Sequence, residues 1–259
     1  MKDPRTIVLR IEQDPRLPHG RAERFRGYAV LGVPFTSGDV LAMRRFPASS
    51  VGPGYTSVWH RNSDGEWTMW VDSEPLHACP RYFGSGVERV VRVPIDVSWP
   101  DPRRIILKIG EGRELDWEVR LASTLTTRFL SAVGQATPDV LWRRRSVLSL
   151  MAAVAGPMLR TGRLSLHGNA PNGQWFKANP KSIWTVMGGR ALLHGADLGG
   201  PEPLPETASL GDFVIPQRGI FAVGQALFEP FAEDRHMLVA SREATGFRVP
   251  TPDQERAST

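Results

Sequence analysis

The sequence is poor in the residues that usually announce a function. Cys79 is the one cysteine among 259 residues, so no internal disulfide can form and a secreted disulfide scaffold is excluded. Lysine is nearly as scarce: Lys2, Lys108, Lys177 and Lys181 are four of 32 basic residues, and arginine carries the rest of the positive charge. No phosphate-binding loop, dinucleotide fingerprint or Gly-x-Ser-x-Gly elbow is present, which argues against ATP, NAD and α/β-hydrolase chemistry. Neither His-x-x-x-His nor Cys-x-x-Cys spacing links the six histidines, so no metal site and no cofactor is expected. The longest apolar run, Ser146–Leu159, falls short of the roughly 18 residues of a membrane span, and Met-Lys-Asp-Pro-Arg does not start a signal peptide. A soluble, cytoplasmic protein without a membrane span is expected.

What is plentiful is proline (22) and glycine (25), scattered along the chain with a hydrophobic fraction of 41%. That composition fits many short strands joined by turns rather than a helical bundle. The net charge of +5 is small for this length and has no concentrated basic motif, so nucleic acid is not an expected partner. Arginine can grip a carboxylate or phosphate through two parallel hydrogen bonds, which keeps an acidic small molecule in view.

Read in order, Thr6–Ile11, Phe25–Phe35 and Val40–Phe46 alternate as strands. Asp64-Gly65 turns Tyr55–Arg61 back onto Glu66–Val71 as a hairpin. Leu115, Trp117, Val119 and Leu121 alternate with charged residues as a half-buried strand. The period then changes. Thr124–Val133 reads as a short helix, and Thr137-Pro138-Asp139 starts a second that runs to about Ala155, buried on most sides. Strands resume from Arg163 and end with one over His236–Ser241. The expected architecture is mainly β: an antiparallel barrel, or two curved sheets, with one buried helix near residues 138–155. It forms a single domain over 1–259, with halves 1–123 and 161–249 flanking a helical segment 124–160. His60-Arg-Asn-Ser-Asp-Gly-Glu-Trp67 echoes His167-Gly-Asn-Ala-Pro-Asn-Gly-Gln-Trp175, which leaves open an internal duplication.

Tyr55–Gly84 concentrates the chemically useful side chains: three of eight tryptophans, two of six histidines, two of three tyrosines and the cysteine. His60, Arg81 and Tyr82 are the candidate catalytic residues, the last two as oxyanion holders. Trp59, Trp67, Trp70, His77, Cys79 and Phe83 are the candidate substrate contacts. His77 and Cys79 share a face if the segment is extended, though a lone cysteine is more often an inert core residue. Arg143-Arg144-Arg145 near a helix start is unfavourable for the helix dipole and invites an anion.

Cys79-Pro80-Arg81-Tyr82-Phe83-Gly84 resembles the Pro-basic-x-x-Gly segment of the acetoacetate decarboxylase-like barrels, and Leu204-Pro205 and Asp212–Pro216 keep that order ahead of a final strand. The resemblance implies a Schiff-base lysine beside an acid. Lys108, the one lysine before the helix apart from Lys2, has no matching surroundings, so the activity is not carried over. The Gly-Trp hairpins resemble, in turn, those of the lipocalin-like carotenoid hydratase group, which implies an apolar substrate and acid groups acting on a double bond. The function expected is binding of an apolar or acidic small molecule in a β-barrel cavity, with acid–base isomerase, cyclase or hydratase chemistry. The alternative is a non-catalytic carrier or interaction module. Whether the chain is an enzyme, and whether it self-associates, stay open.

Overall fold

The computed structural model describes residues 3–238. The chain begins with helix α1 (Pro4–Gln13) and strands β1 (Glu23–Pro34), β2 (Val40–Ser49), β3 (Tyr55–Arg61) and β4 (Trp67–Val71). A single helical turn, α2 (Pro80–Phe83), precedes β5 (Arg89–Arg92), β6 (Ile95–Asp101), β7 (Arg104–Ile109) and β8 (Leu115–Ala122). Three helices follow: α3 (Leu125–Ala136), α4 (Asp139–Trp142) and α5 (Arg145–Leu159). The chain closes with β9 (His167–Asn169), β10 (Trp175–Leu193), β11 (Ala196–Asp197), β12 (Ser209–Leu210), β13 (Phe213–Val214) and β14 (Ile220–Phe228).

Most strands form one sheet in the order β5-β4-β3-β2-β1-β14-β10-β8-β7-β6, with β9 and β11 added beside β10; β12 and β13 make a second, small sheet. All neighbours along this order are antiparallel except β4 and β5. The two edge strands, β5 and β6, are separated in sequence only by Val93-Pro94, so the sheet must curl back on itself. The result is a mainly β half-barrel, as the composition and turn pattern predict.

The curl gives the sheet an inner and an outer face, and the period of two assigns each residue to one of them. Tyr28, Val30, Leu41, Met43, Val58, Trp117, Trp184 and Phe221 fill the inside. Phe25, Val40, Ala42, Tyr55, Trp59, Trp67 and Met69 point outward, under a cover that includes Cys79, Tyr82, Phe83 and Ile215. A third cluster joins Ile183, Ile220 and Ala222 of the sheet to Leu130 of α3 and to Ala155 and Leu159 of α5.

Several expected elements differ. Thr6–Ile11 is helical rather than extended, because Asp3 accepts a hydrogen bond from the Thr6 amide (2.8 Å) and Pro4 opens the first turn. Val8 and Ile11 then pack into the inner core. The helix expected near 138–155 is divided at Arg143-Arg144, passes through Pro157 and ends at Leu159. It is also less buried than its composition suggests: Leu148 is buried, whereas Leu150 and Val154 are exposed. Of the strand expected over His236–Ser241, residues 236–238 are not in a strand and the other three lie outside the described residues. The two echoed turns have the same geometry. In the first, Asn62 N–H donates to Glu66 and Gly65 N–H to Asn62; in the second, Ala170 and Gly173 do so to Gln174 and Ala170.

Candidate functional site

Three rows of side chains cross β1, β14 and β10 on the outer face: Phe25–Ala226–Ala178, Gly27–Gly224–Pro180 and Ala29–Ala222–Ile183. Both glycines are required by close backbone approach. A Cβ on Gly27 would lie 2.0 Å from the Arg45 carbonyl oxygen, and one on Gly224 would lie 2.1 Å from that of Asn179. Small side chains in adjacent rows leave a gap between sheet and cover. It forms a cavity of about 110 Å³, bordered by the glycines, alanines and Pro180 of these rows and by Phe46, Phe176, Phe213 and Phe228.

Its polar lining includes Arg44, Tyr55, Cys79 and Tyr82, and also Tyr28, Ser165, Lys177, Asn179 and Gln225. Arg44 follows Val40 and Ala42 at outward positions of β2 and is only 6% exposed. Its guanidinium lies 3.4 Å from the centroid of Trp59 and 4.6 Å from that of Phe213. Both terminal nitrogens are buried without a hydrogen-bond partner among the described residues. Burial pushes its pKa down to about 10, partly offset by Cys79 and Tyr55, so the group stays cationic at neutral pH. The Tyr55 hydroxyl lies 3.5 Å from Cys79 Sγ. Burial raises the pKa of the Cys79 thiol and of the Tyr55 hydroxyl, which keeps both protonated. Three hydrogen-bond donors and no anion therefore meet at one end of an aromatic cavity.

Arg81 and Tyr82 are arranged differently. Arg81 donates to both carboxylate oxygens of Glu23, at 2.9 and 3.3 Å, and the Tyr82 hydroxyl donates to the same group at 2.6 Å. Gln174 adds a third donor at 3.1 Å. Burial alone would raise the Glu23 carboxyl, but these donors prevail and hold it below the ordinary carboxylate value. Tyr82 also stacks on Phe228 with centroids 3.7 Å apart. This network closes one end of the cavity and leaves Arg81 occupied.

The structure thus divides the residues singled out in the sequence. Cys79, Tyr82 and Phe83 border the cavity, Trp59 packs behind it against Phe83 and Arg44, and Trp67 packs edge-to-face on Trp59. His60 and Trp70 face inward on β3 and β4, where they stack on each other with centroids 5.9 Å apart. His60 contacts Asp39 at 2.6 Å and Trp70 donates to Glu114 at 2.8 Å, both beside a separate polar cleft. His77 is exposed, in a short helical turn that points it away from Cys79. Among the described residues no cluster of His, Cys, Asp or Glu is arranged to hold a metal, and no helix is long and apolar enough to cross a membrane. Sequence reasoning missed Arg44, Tyr55 as a donor, and Glu23. The signal for Arg44 was available: a charge standing in the apolar register Val40, Ala42, Arg44, Phe46.

No family model matches the chain, and no curated protein does. Among solved structures it is similar to an acetoacetate decarboxylase from Legionella pneumophila, the group that Cys79–Gly84 resembles. Identity is 13%, over 87% of this chain and 90% of that one, with a TM-score of 0.37.

Proposed function

We propose that the protein binds an apolar small molecule bearing a carboxylate, with Arg44 as the anchor. The observation that carries this reading is the buried guanidinium with two unpartnered terminal nitrogens facing a cavity. Buried charges are ordinarily paired, and an unpaired one costs several kcal/mol, on the order of what an incoming carboxylate would recover. Tyr55 and Cys79, both protonated, add donors beside it. Arg81 is the weaker candidate anchor, because Glu23 already satisfies it.

The apolar part of the ligand has a route. A second cavity of about 320 Å³ lies between the sheet and helices α3 and α5, and shares Leu31, Ser165, Leu166, Pro180 and Phe213 with the first. Its walls include Leu130, Val133, Ala155, Leu159 and Ile183. A volume of ~150 Å³ accepts a benzene ring. The first cavity therefore suits a headgroup with a short apolar neck, and the second takes a chain. Ionisable groups that converge here are donors rather than bases, which favours holding a ligand over acid–base turnover.

Two measurements test the proposal. Native mass spectrometry of freshly purified protein should detect a retained acidic ligand. In calorimetry, dodecanoate should bind and dodecanol should bind far more weakly. Equal affinity for acid and alcohol would refute the role of Arg44, and no binding of either would refute the cavity as a ligand site.

A further inference from the structure

The arginine run at 143–145, which the apolar cavity leaves unexplained, sits at a second place of unusual charge. Arg24 of β1 pairs in register with Leu227 of β14, and Leu227 pairs with Lys177 of β10. Residues directly opposite in a sheet share a face, and neighbouring strands lie ~4.8 Å apart. Arg24 and Lys177 therefore stand on one face about 10 Å from each other, with Trp175 two residues along the same strand. The opening of α5 comes down on this row. The Arg145 guanidinium lies 3.6 Å from the Trp175 centroid, and His167 stacks on the same ring at 5.1 Å. Arg143 reaches across to donate to the His19 carbonyl oxygen at 2.9 Å, while Lys177 donates to the Arg143 carbonyl oxygen at 2.6 Å. Together with Arg21 they enclose a cleft of about 310 Å³.

Five cations line this cleft: Arg21, Arg24, Arg143, Arg145 and Lys177. Among the described residues none of the five forms an ion pair, although fourteen ion pairs occur elsewhere. The cleft's one carboxylate, Glu229, is turned to the Trp175 amide (2.9 Å) and to His236 (3.2 Å). The Arg24 Nε is buried without a partner among the described residues. Like charges gathered around one cleft repel one another and oppose folding. Here they are gathered from β1, β10, the α4–α5 junction and the loop before β1, and hydrogen bonds to backbone carbonyls hold Arg143 and Lys177 in place.

We propose that this cleft is a binding site for a phosphate-class polyanion of small size, such as a diphosphate group. Five cations against one carboxylate match an anion of several charges better than a single carboxylate does. Planar guanidinium groups from different elements suit the several oxygens of phosphate. The recessed shape favours a compact anion over a nucleic-acid backbone, which needs an extended basic stripe. Lys177 and Phe228 border both this cleft and the Arg44 cavity, so the two sites adjoin. The proposal does not depend on the carboxylate reading.

Calorimetry with pyrophosphate in ~150 mM NaCl, where weak surface attraction is screened, tests it on the full chain. One-to-one binding is expected, weakened about tenfold or more by Arg24→Gln and separately by Arg145→Gln, which lie on different elements. Arg24→Lys should recover part of the affinity, and Arg190→Gln, outside the cleft, should change nothing. Dodecanoate binding should be unaltered in every one of these variants, which separates this site from the Arg44 cavity. No pyrophosphate heat, or wild-type affinity retained in both glutamine variants, would overturn the proposal. So would binding of a short oligonucleotide or of anionic lipid vesicles in place of pyrophosphate.

Discussion

Replacing Arg44 by methionine separates an arginine kept for a ligand from one kept for the fold. In the ligand-free protein the substitution removes a buried cation that has, among the described residues, no hydrogen-bond partner at either terminal nitrogen. Exchange of poorly compensated buried charge for apolar bulk is often neutral or stabilising by ~1–4 kcal/mol. The loss runs the other way: the stacking on Trp59 at 3.4 Å, in a desolvated setting, contributes ~2 kcal/mol. The two effects nearly cancel, so the free protein should keep its stability to within about 2 kcal/mol, a shift of no more than ~8 °C in melting temperature for a chain of this size. Binding should change far more. Truncating one side of a buried charged contact costs ~2–5 kcal/mol, which corresponds to about 30-fold to several thousand-fold in Kd. Thermal melts with and without dodecanoate, followed by calorimetry, read both quantities on the same two proteins. Arg44→Met with a melting temperature lowered by more than ~10 °C and an unchanged dodecanoate affinity would refute the argument, because Arg44 would then be holding the fold together.

Three other outcomes are expected. The Cys79 thiol, held protonated by burial, should not react with iodoacetamide at pH 8 in the folded protein, and should react at once in denaturant; rapid labelling of the native state would contradict its placement. Glu23 has a lowered folded pKa, so the stability it contributes is fully present above the unfolded carboxylate value and disappears as pH falls through the folded one. Tyr82→Phe removes one of its donors and should cost ~1–2 kcal/mol at neutral pH and less in acid; a loss that grows on acidification would reverse the sign of the argument. Ala155→Phe narrows the second cavity, so calorimetry should show dodecanoate binding weakened and hexanoate binding unchanged; equal losses for both acids would mean that the chain does not lie there.

Local features of the sequence foretold much of the fold. Asp64-Gly65 set the β3–β4 hairpin, and alternation placed Trp117 inside the curl, because turn chemistry and a period of two act within a few residues. Thr6–Ile11 was misjudged because six residues with mixed polarity fit either period, and the deciding contact is a cap at Asp3. The site was partly legible. Cys79, Tyr82 and Phe83, singled out by composition, border the candidate cavity, whereas His60, grouped with them, differs in parity from Tyr55 and Trp59 on the same strand. A strand separates neighbouring side chains onto opposite faces, so closeness along the chain misled. Glu23 could not be found from sequence at all: it reaches Arg81 across 58 positions.

The contrast between Arg44 and the half-buried Arg81 carries the functional argument further than either residue alone. Arg81 stands in the segment richest in chemically useful groups, yet its charge is spent on Glu23, and the Tyr82 hydroxyl is spent on the same carboxylate. Arg44 stands in an ordinary strand between Met43 and Arg45, and of that pair of arginines Arg45 is the one with a partner, Glu12 at 2.9 Å. A sheet could have turned Arg44 to the face that carries Arg45 only by shifting register by one, which would have moved Val40 and Ala42 out of the outer cluster with it. Its burial beneath the cover is therefore fixed by the neighbouring apolar residues, and the missing counter-charge is a property of the cavity rather than of a mobile side chain. A ligand that supplies one negative charge at that point, and an apolar body to fill the space above Gly27 and Gly224, completes an arrangement that the described residues of the chain leave one anion short.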